Sequence, residues 1–362
     1  MKIICKTSEF KKALNIVDKF VNKNSTLDSL RYIKIETKDT YINIIETDLS
    51  SGITLKVSAK TEEGEDFLID SKPILQFIQF IEDEYVEIVK KDNYIRIETK
   101  KESINIKIQT TEDYPIIPKT KTNKTAISSE YLLNGIESVN IAVSMSDIKP
   151  ELNSVCIYNK EDFTYFVATD TFRLAEKKIK IPNFLIEGQI CIPEKTVGQI
   201  VMLLNNYQGT LEFFYSENQF SIENSFFCFT SRLVQNTFPN YQQIIPQTQK
   251  TKNKINVSDL LKAVKLSNVF SDTTNQIILS IQENKTTVSS ENGLVGSQES
   301  IITSKKEGDD VIIKCNSKYV LDILNRITTK NVIFSCNGAS KPCVVRPEDD
   351  DSYVYLVMPM SK

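Results

Sequence analysis

The sequence predicts an α+β protein of three repeated domains, each with two helices and antiparallel sheets. Three observations carry this. Helix-like segments recur three times along the chain. A lysine at the start of one helix in each set recurs at equal spacing. The intervening stretches are short runs of alternating apolar and polar residues, the pattern of strands with one wet face.

The first recurring element is a Ser followed by an amphipathic helix: TSEFKKALNIVDKFV (7–21), ISSEYLLNGIESVNIA (127–142) and VSDLLKAVKLSNVF (257–270). Ser8, Ser129 and Ser258 sit where a helix N-cap is expected, with an acidic residue just inside. Phe10, Leu14, Val17 and Val21 keep helical spacing on one face. The second element is a short β-like run, a Lys and a helix: FLIDSKPILQFIQFI (67–81), ICIPEKTVGQIVMLL (190–204) and IIKCNSKYVLDILNRI (312–327). Lys72, Lys195 and Lys318 stand 123 residues apart in both intervals (195 − 72 and 318 − 195). Pro73 suits a first helical turn. Between the helices, YIKIET (32–37), YINIIET (41–47), YVEIV (85–89), YIRIET (94–99) and INIKI (104–108) alternate as strands. Exposed connectors rich in Pro, Lys, Thr, Asn and Gln are expected at 114–125 and 241–254. The domains are therefore placed at 1–122, 123–250 and 251–362. Such units stack side by side and generate curvature. Strands left unpaired at the two ends of the array invite a second copy, and a head-to-tail pairing that closes makes a ring.

Composition narrows the function. The 362 residues contain no histidine, which removes the commonest general base and most zinc sites. No Gly-rich phosphate loop is present, and glycines number only 10. Both facts argue against an enzyme. The seven cysteines stand singly, as expected of buried thiols in a reducing compartment. No apolar run is long enough to span a membrane, and the N-terminus turns polar too early for a signal peptide, so a cytoplasmic location is expected. A net charge of −3 is the wrong sign for a general DNA binder but allows one local basic surface. Glu348, Asp349, Asp350 and Asp351 read as a solvated hairpin loop, and no metal or cofactor is expected.

Five segments, in this order and spacing, carry a resemblance: KPELN (149–153), ATDTFRLA (168–175), FPNYQQIIP (238–246), NSKYVLDIL (316–324) and YLVMPM (355–360). Over its whole length the chain resembles the bacterial sliding-clamp family, the β subunits of DNA polymerase III. The resemblance implies a DNA clamp fold closing into a ring as a head-to-tail homodimer, with helices lining the hole and strands outside. It implies a non-catalytic processivity factor that encircles double-stranded DNA without sequence preference. The expected partners are the catalytic subunit of DNA polymerase III, clamp-loader subunits, and other polymerases and repair proteins carrying clamp-binding peptides. The alternative reading is a polymerase or nuclease polypeptide using carboxylate-bound metals.

The resemblance also assigns sites. Apolar walls of a peptide pocket are expected from Leu152, Leu174, Pro239, Ile244, Leu356, Met358 and Met360, with Ala339 beside them. Met suits a surface that accepts varied apolar ligands. Thr169, Arg173, Asn316 and Tyr319 are expected at the rim, and Lys149, Thr171, Phe172 and Gln243 belong to the same segments. Where the family usually has Gly-His-Arg, this chain has Thr171-Phe172-Arg173. Gln242 and Gln243 replace usual basic residues, Lys149 replaces a common Arg, and Ser154 stands where the family often has Gly. For DNA the expected contacts are Lys12, Lys19, Lys23, Asn24, Lys72, Lys195, Lys262 and Lys318, aimed at phosphates. For the dimer interface they are Ile104, Ile106, Ile108 and Leu266.

Overall fold

In each repeat a strand runs without a loop into the first helix, so the strand itself supplies the extended backbone that a helix start needs. The protein is described here by a computed structural model covering residues 1–21 and 25–360. The first repeat contains β1 (Lys2–Lys6), α1 (Thr7–Val17), β2 (Ile33–Lys38), β3 (Tyr41–Thr47), β4 (Ser51–Glu62), β5 (Phe67–Ile69), α2 (Ser71–Ile78), β6 (Tyr85–Lys91), β7 (Tyr94–Glu98) and β8 (Ser103–Gln109). The second contains β9 (Thr125–Ser128), α3 (Ser129–Asn140), β10 (Ser154–Lys160), β11 (Phe163–Thr169), β12 (Arg173–Ile179), β13 (Gln189–Pro193), α4 (Glu194–Asn206), β14 (Thr210–Tyr215), β15 (Gln219–Glu223) and β16 (Phe227–Arg232). The third contains β17 (Thr251–Asn256), α5 (Val257–Val269), β18 (Gln276–Gln282), β19 (Lys285–Asn292), β20 (Gly296–Gly308), β21 (Val311–Asn316), α6 (Ser317–Leu324), β22 (Asn331–Cys336), β23 (Cys343–Pro347) and β24 (Tyr353–Val357). The order of elements is the same in all three.

The helix starts differ in detail from the sequence expectation. Lys6, not Ser8, occupies the N-cap of α1 and makes no side-chain cap. Asn256, not Ser258, caps α5, its side chain accepting from the N–H groups of Ser258 and Asp259. Ser129 already lies inside α3, and its hydroxyl accepts from Gly209 N at 3.0 Å. The second helices start as expected, with Asp70 and Asn316 accepting from the backbone of Lys72 and Lys318. The second connector is shorter than expected, because β17 already begins at Thr251.

The chain divides into two compact units, Met1–Leu133 with Lys195–Leu233, and Asn134–Glu194 with Val234–Lys362. Each is built on a twelve-stranded sheet. In the first unit the order is β1-β6-β7-β8-β5-β2-β3-β4-β16-β15-β14-β9, with β1 also pairing β4. In the second it is β13-β10-β11-β12-β24-β23-β22-β17-β20-β19-β18-β21. The sheets therefore cross repeat boundaries at two equivalent places. β4 of the first repeat pairs with β16 of the second (Ile53 opposite Phe229), and β12 of the second pairs with β24 of the third (Leu174 opposite Leu356). Alternation of the apolar residues decides the core: Ile42 and Ile44 of β3 point inward while Tyr41, Asn43 and Ile45 are half-covered.

One core residue breaks the pattern. Glu46, at the end of β3, is wholly buried, and the Tyr114 hydroxyl donates to its carboxylate at 3.3 Å. Burial, helped by neighbouring Asp48, pushes its carboxyl up to about 9. The folded state thus holds a proton there that the unfolded chain releases near the ordinary carboxylate value. Stability is complete below about pH 4.5 on this account and falls as pH rises towards 9, by up to ~1.4 kcal/mol per pH unit. No histidine is present to mask the effect. Urea unfolding between pH 5.5 and 8.5 should show wild-type stability declining and Glu46→Gln nearly flat. Parallel curves for the two proteins would refute the assignment.

Candidate functional site

In the second unit a site is built where β12 begins and β24 ends. Asp170 closes the tight turn between β11 and β12. Its Oδ1 accepts from the N–H groups of Phe172 and Arg173, both at 2.9 Å. The Thr169 hydroxyl donates to Arg173 O at 2.7 Å. The turn forces Thr171 to φ 79°, a left-handed conformation that a β-branched residue adopts at a cost of roughly 1–2 kcal/mol. The Arg173 guanidinium donates to Asp170 at 2.9 Å and to Asp322 on α6, and lies 4.4 Å from the Tyr319 ring centre. This network holds Arg173 in place at the edge of the site.

Beneath the turn lies an apolar cluster. Cys156, Val167, Leu174, Cys191, Phe238, Tyr241 and Leu356 are buried in it, and Tyr158, Tyr165, Val234, Ile245 and Met358 pack against it half-covered. Antiparallel pairing puts Leu174 directly opposite Leu356. The Tyr241 hydroxyl contacts the Tyr158 hydroxyl at 2.6 Å and donates to Glu176, and Gln242 donates to Tyr158 at 3.1 Å. The strand β24 ends at Val357, short of both methionines, because Pro359 has no N–H to continue the ladder. The backbone is tied down nonetheless. Met358 N donates to Phe172 O and Met360 N to Lys314 O on β21, each at 2.8 Å.

The expected pocket residues thus separate by depth. Leu174 and Leu356 are buried in the cluster, and Leu152 and Thr169 are buried as well. Met358, Met360, Asn316, Tyr319 and Arg173 are half-buried. Lys149, Thr171, Phe172, Pro239, Gln243, Ile244 and Ala339 are exposed. Phe172 is 59% and Ile244 46% exposed, large values for apolar side chains. Asn316 is engaged as the cap of α6, and its amide donates to Thr274 O. Ala339 lies in the turn between β22 and β23. Sequence reasoning missed Phe238, Tyr241, Tyr158 and Ile245. A short 3₁₀ turn at Gln242–Ile244 rotates the chain, so the second isoleucine of the pair packs on the cluster and the first faces out. From Ile245 a groove of about 540 Å³ continues past Pro246 to Lys252 and Arg346.

The expected DNA-contacting lysines occur in both units. In the first, Lys19 on the segment after α1 and Lys72 on α2 are exposed. Lys12 instead donates to Asn206 O at the end of α4 and lies 4.1 Å from the Tyr207 ring centre. Lys195 is ion-paired with Asp48, whose side chain is only 3% exposed. Burial raises the carboxyl of Asp48, but Lys195 and the N–H groups of Ser50 and Ser51 outweigh it and hold it below its ordinary value. Lys23 and Asn24 lie outside the described residues. In the second unit Lys262 and Lys318 are exposed near the starts of α5 and α6.

The expected interface residues also divide. In the first unit Ile104, Ile106 and Ile108 share one face of β8, with Ile106 buried at 8% exposure and the other two half-covered. β8 pairs fully with β7, but with β5 only at Ile108 and Gln109. In the second unit Leu266 is 45%, Val269 68% and Ile301 63% exposed. Hollows of about 440 and 470 Å³ flank Leu266. Replacing Thr171 by Gly should relieve the left-handed strain at the pocket turn and raise stability by a net ~0.5–1 kcal/mol, after the entropic cost of Gly. Denaturant midpoints of the two proteins check this, and a less stable variant would show that the turn is not strained.

Comparison with known proteins gives one answer along the chain. Family models of the DNA polymerase III beta subunit match residues 1–118 (N-terminal domain), 126–240 (central domain) and 242–361 (C-terminal domain). The beta sliding clamp of Staphylococcus aureus is 24% identical, the match covering 99% of both chains. Among solved structures, the DNA polymerase III beta subunit of Thermotoga maritima is 25% identical with a TM-score of 0.94, covering 100% of this chain and 99% of that one. The Bacillus subtilis DNA polymerase sliding clamp is 23% identical with a TM-score of 0.93, with coverage of 100% and 99%.

Proposed function

Because the chain belongs to the DNA polymerase III beta subunit family, we propose that it is a non-catalytic sliding clamp, closing as a ring of two copies around duplex DNA. The mechanism is topological. A closed ring cannot leave the duplex sideways, and an enzyme tethered to it meets the template at high effective concentration. Family membership favours this reading over a polymerase or nuclease working through carboxylate-bound metals. The repeated order of strands and helices supports domain boundaries near 122 and 250.

One observation carries ring closure. The pairing of β4 with β16 and of β12 with β24 joins consecutive repeats in the same way twice. The corresponding strands left over are β20 of the third repeat and β8 of the first. Among the described residues, Gly296–Thr303 of β20 pairs only with β19, and Ser103–Lys107 of β8 only with β7. Two such half-free edges fit a head-to-tail dimer in which β20 of one copy pairs with β8 of the other, beside exposed Leu266, Val269 and Ile301. Leu266→Glu would place an unpaired charge there, worth several kcal/mol or roughly a 100-fold or greater weakening. Ile106 is a poorer test because it is already core. Light scattering should find the Leu266→Glu protein monomeric where wild type is dimeric. A dimer of unchanged strength would exclude this interface.

Partners dock, on this reading, over the cluster of Leu174, Leu356 and Met358, between exposed Phe172 and Ile244, with Arg173 at the edge. The pocket has a wall of Phe172 that does not titrate, so affinity should stay constant between about pH 6 and 8. Met360→Ala should weaken a Leu-Phe peptide by ~1–3 kcal/mol and leave the dimer intact. Calorimetric titration checks both statements, and equal affinities would move docking elsewhere.

The DNA surface is assigned to the exposed lysines at helix starts, which touch phosphates without reading sequence. Lys318→Ala should flatten the salt dependence of DNA association by up to about one unit of slope, with no change in base preference. The test of the whole reading is retention: after loading, the protein should stay on circular DNA and run off linear DNA. Equal loss from both would overturn it.

A further inference from the structure

The groove that runs on from Ile245 is walled by a segment tied at both ends. At one end Ile245 packs on the apolar cluster that holds Leu174 and Leu356. At the other, Asn337, in the turn between β22 and β23, donates from its amide to Thr248 O at 2.7 Å and accepts from Lys250 N at 2.8 Å. The space of about 540 Å³ therefore has a fixed wall facing strands of the sheet. Register gives its direction. Leu356 lies opposite Val344, Val344 opposite Ser335, and Ser335 opposite Lys252. Residues directly opposite one another share a face of the sheet. One row thus leads from the candidate pocket to Lys252 in three strand steps, roughly 14 Å. Arg346 stands two residues along β23 from Val344, on the same face, roughly 8 Å from Leu356.

The tied segment contributes no charge, since Pro246, Gln247, Thr248 and Gln249 are all neutral. The charge of the groove comes from Lys252 and Arg346 and is positive. Lys252 is exposed and has no ion pair among the described residues, whereas Lys254, two residues on, is taken by Glu348. Glu307, opposite Lys252 on β20, is exposed, so its pull on the ammonium is screened. Arg346 Nη1 stands 4.0 Å from Asp351, whose side chain is 93% exposed. The Nε of Arg346 is buried and has no acceptor among the described residues. A guanidinium donor left unpaired away from water is costly, and a carboxylate satisfies it with two parallel bonds. Resting on the docking reading above, we propose that this groove is a second subsite for the same peptides, taking an Asp or Glu side chain outside the apolar anchor. An extended chain rises roughly 3.3 Å per residue, so the two spans place that acid about two to four positions from the anchor. The subsite sorts partners by the charge of the sequence flanking their apolar anchor.

Calorimetric titration of the full-length protein with a Leu-Phe peptide and its extended forms tests this. The extensions carry two Glu or two Gln at those positions, placed before the anchor in one pair of peptides and after it in another. On one of the two sides the Glu peptide should bind about three- to tenfold more tightly than its Gln counterpart at low salt, the gain shrinking as salt rises. Lys252→Gln, at an exposed position, should remove part of the gain, and Lys252→Gln with Arg346→Gln all of it. The unextended peptide does not reach these residues and serves as the control. Equal binding of Glu and Gln peptides on both sides, or a gain that survives in the double variant, overturns the proposal. So does a double variant that loses DNA association and keeps the peptide gain, which would assign the groove to phosphate. An unextended peptide that fails to bind wild type removes the docking reading itself, and the subsite with it.

Discussion

Antiparallel pairing across repeat boundaries is the interaction on which the rest depends. Backbone N–H and C=O groups must be paired when buried, and a sheet continues wherever an edge finds a complementary edge. In this chain β12 finds β24 and β4 finds β16, so repeats distant in sequence share one ladder and one core. The register then places the functional chemistry. With Leu174 opposite Leu356, the last residues of the third repeat run past the start of β12, and Met358 meets Phe172. The candidate pocket is the place where that ladder stops, and apolar side chains that would otherwise be covered by a further strand remain half-open.

Polar chemistry at these boundaries is concentrated in one turn. An aspartate there satisfies backbone donors with one oxygen and a cation with the other: Asp48 takes Lys195 of the following repeat directly, whereas Asp170 takes Arg173 of its own turn, and Arg173 reaches Asp322. The charge-assisted bonds are partly shielded from water, which makes them stronger than ordinary surface pairs. The cost of this arrangement is visible at Thr171, held in a left-handed conformation so that the turn can present Arg173 correctly. It is visible again at Lys195, whose charge is taken up by the buried carboxylate of Asp48.

An acidic chain that encloses DNA needs its positive charge where the duplex passes and little specificity in how it is used. The exposed lysines at the starts of α2 and α6, the proposed DNA contacts, suit that need, since flexible ammonium groups exchange phosphates at little cost. The absence of histidine removes the ordinary titrating group of the neutral pH range, and Glu46, whose carboxyl is pushed up strongly, acts on stability from within the core.

Much of this was legible in the sequence. Period-two alternation located β2, β3, β6, β7 and β8 within a residue or two, because a strand with one wet face must alternate. The spacing of Lys72, Lys195 and Lys318 announced the repeat, since equivalent helices begin at equivalent places. The segments proposed for the pocket stood out because each is contiguous and unusual. What sequence could not supply was depth and direction. Whether Leu174 is floor or wall, or which of Ile244 and Ile245 turns inward, depends on a register and a 3₁₀ turn set by contacts far away in the chain. The caps shifted to Lys6 and Asn256 because a strand running straight into a helix provides the extended backbone two residues early. Above all, the partners of Asp48 and Arg173 lie about 150 residues away, at Lys195 and Asp322. Local propensity carries no information about such pairs. Only the folded sheets, by bringing successive repeats side by side, decide which charges meet.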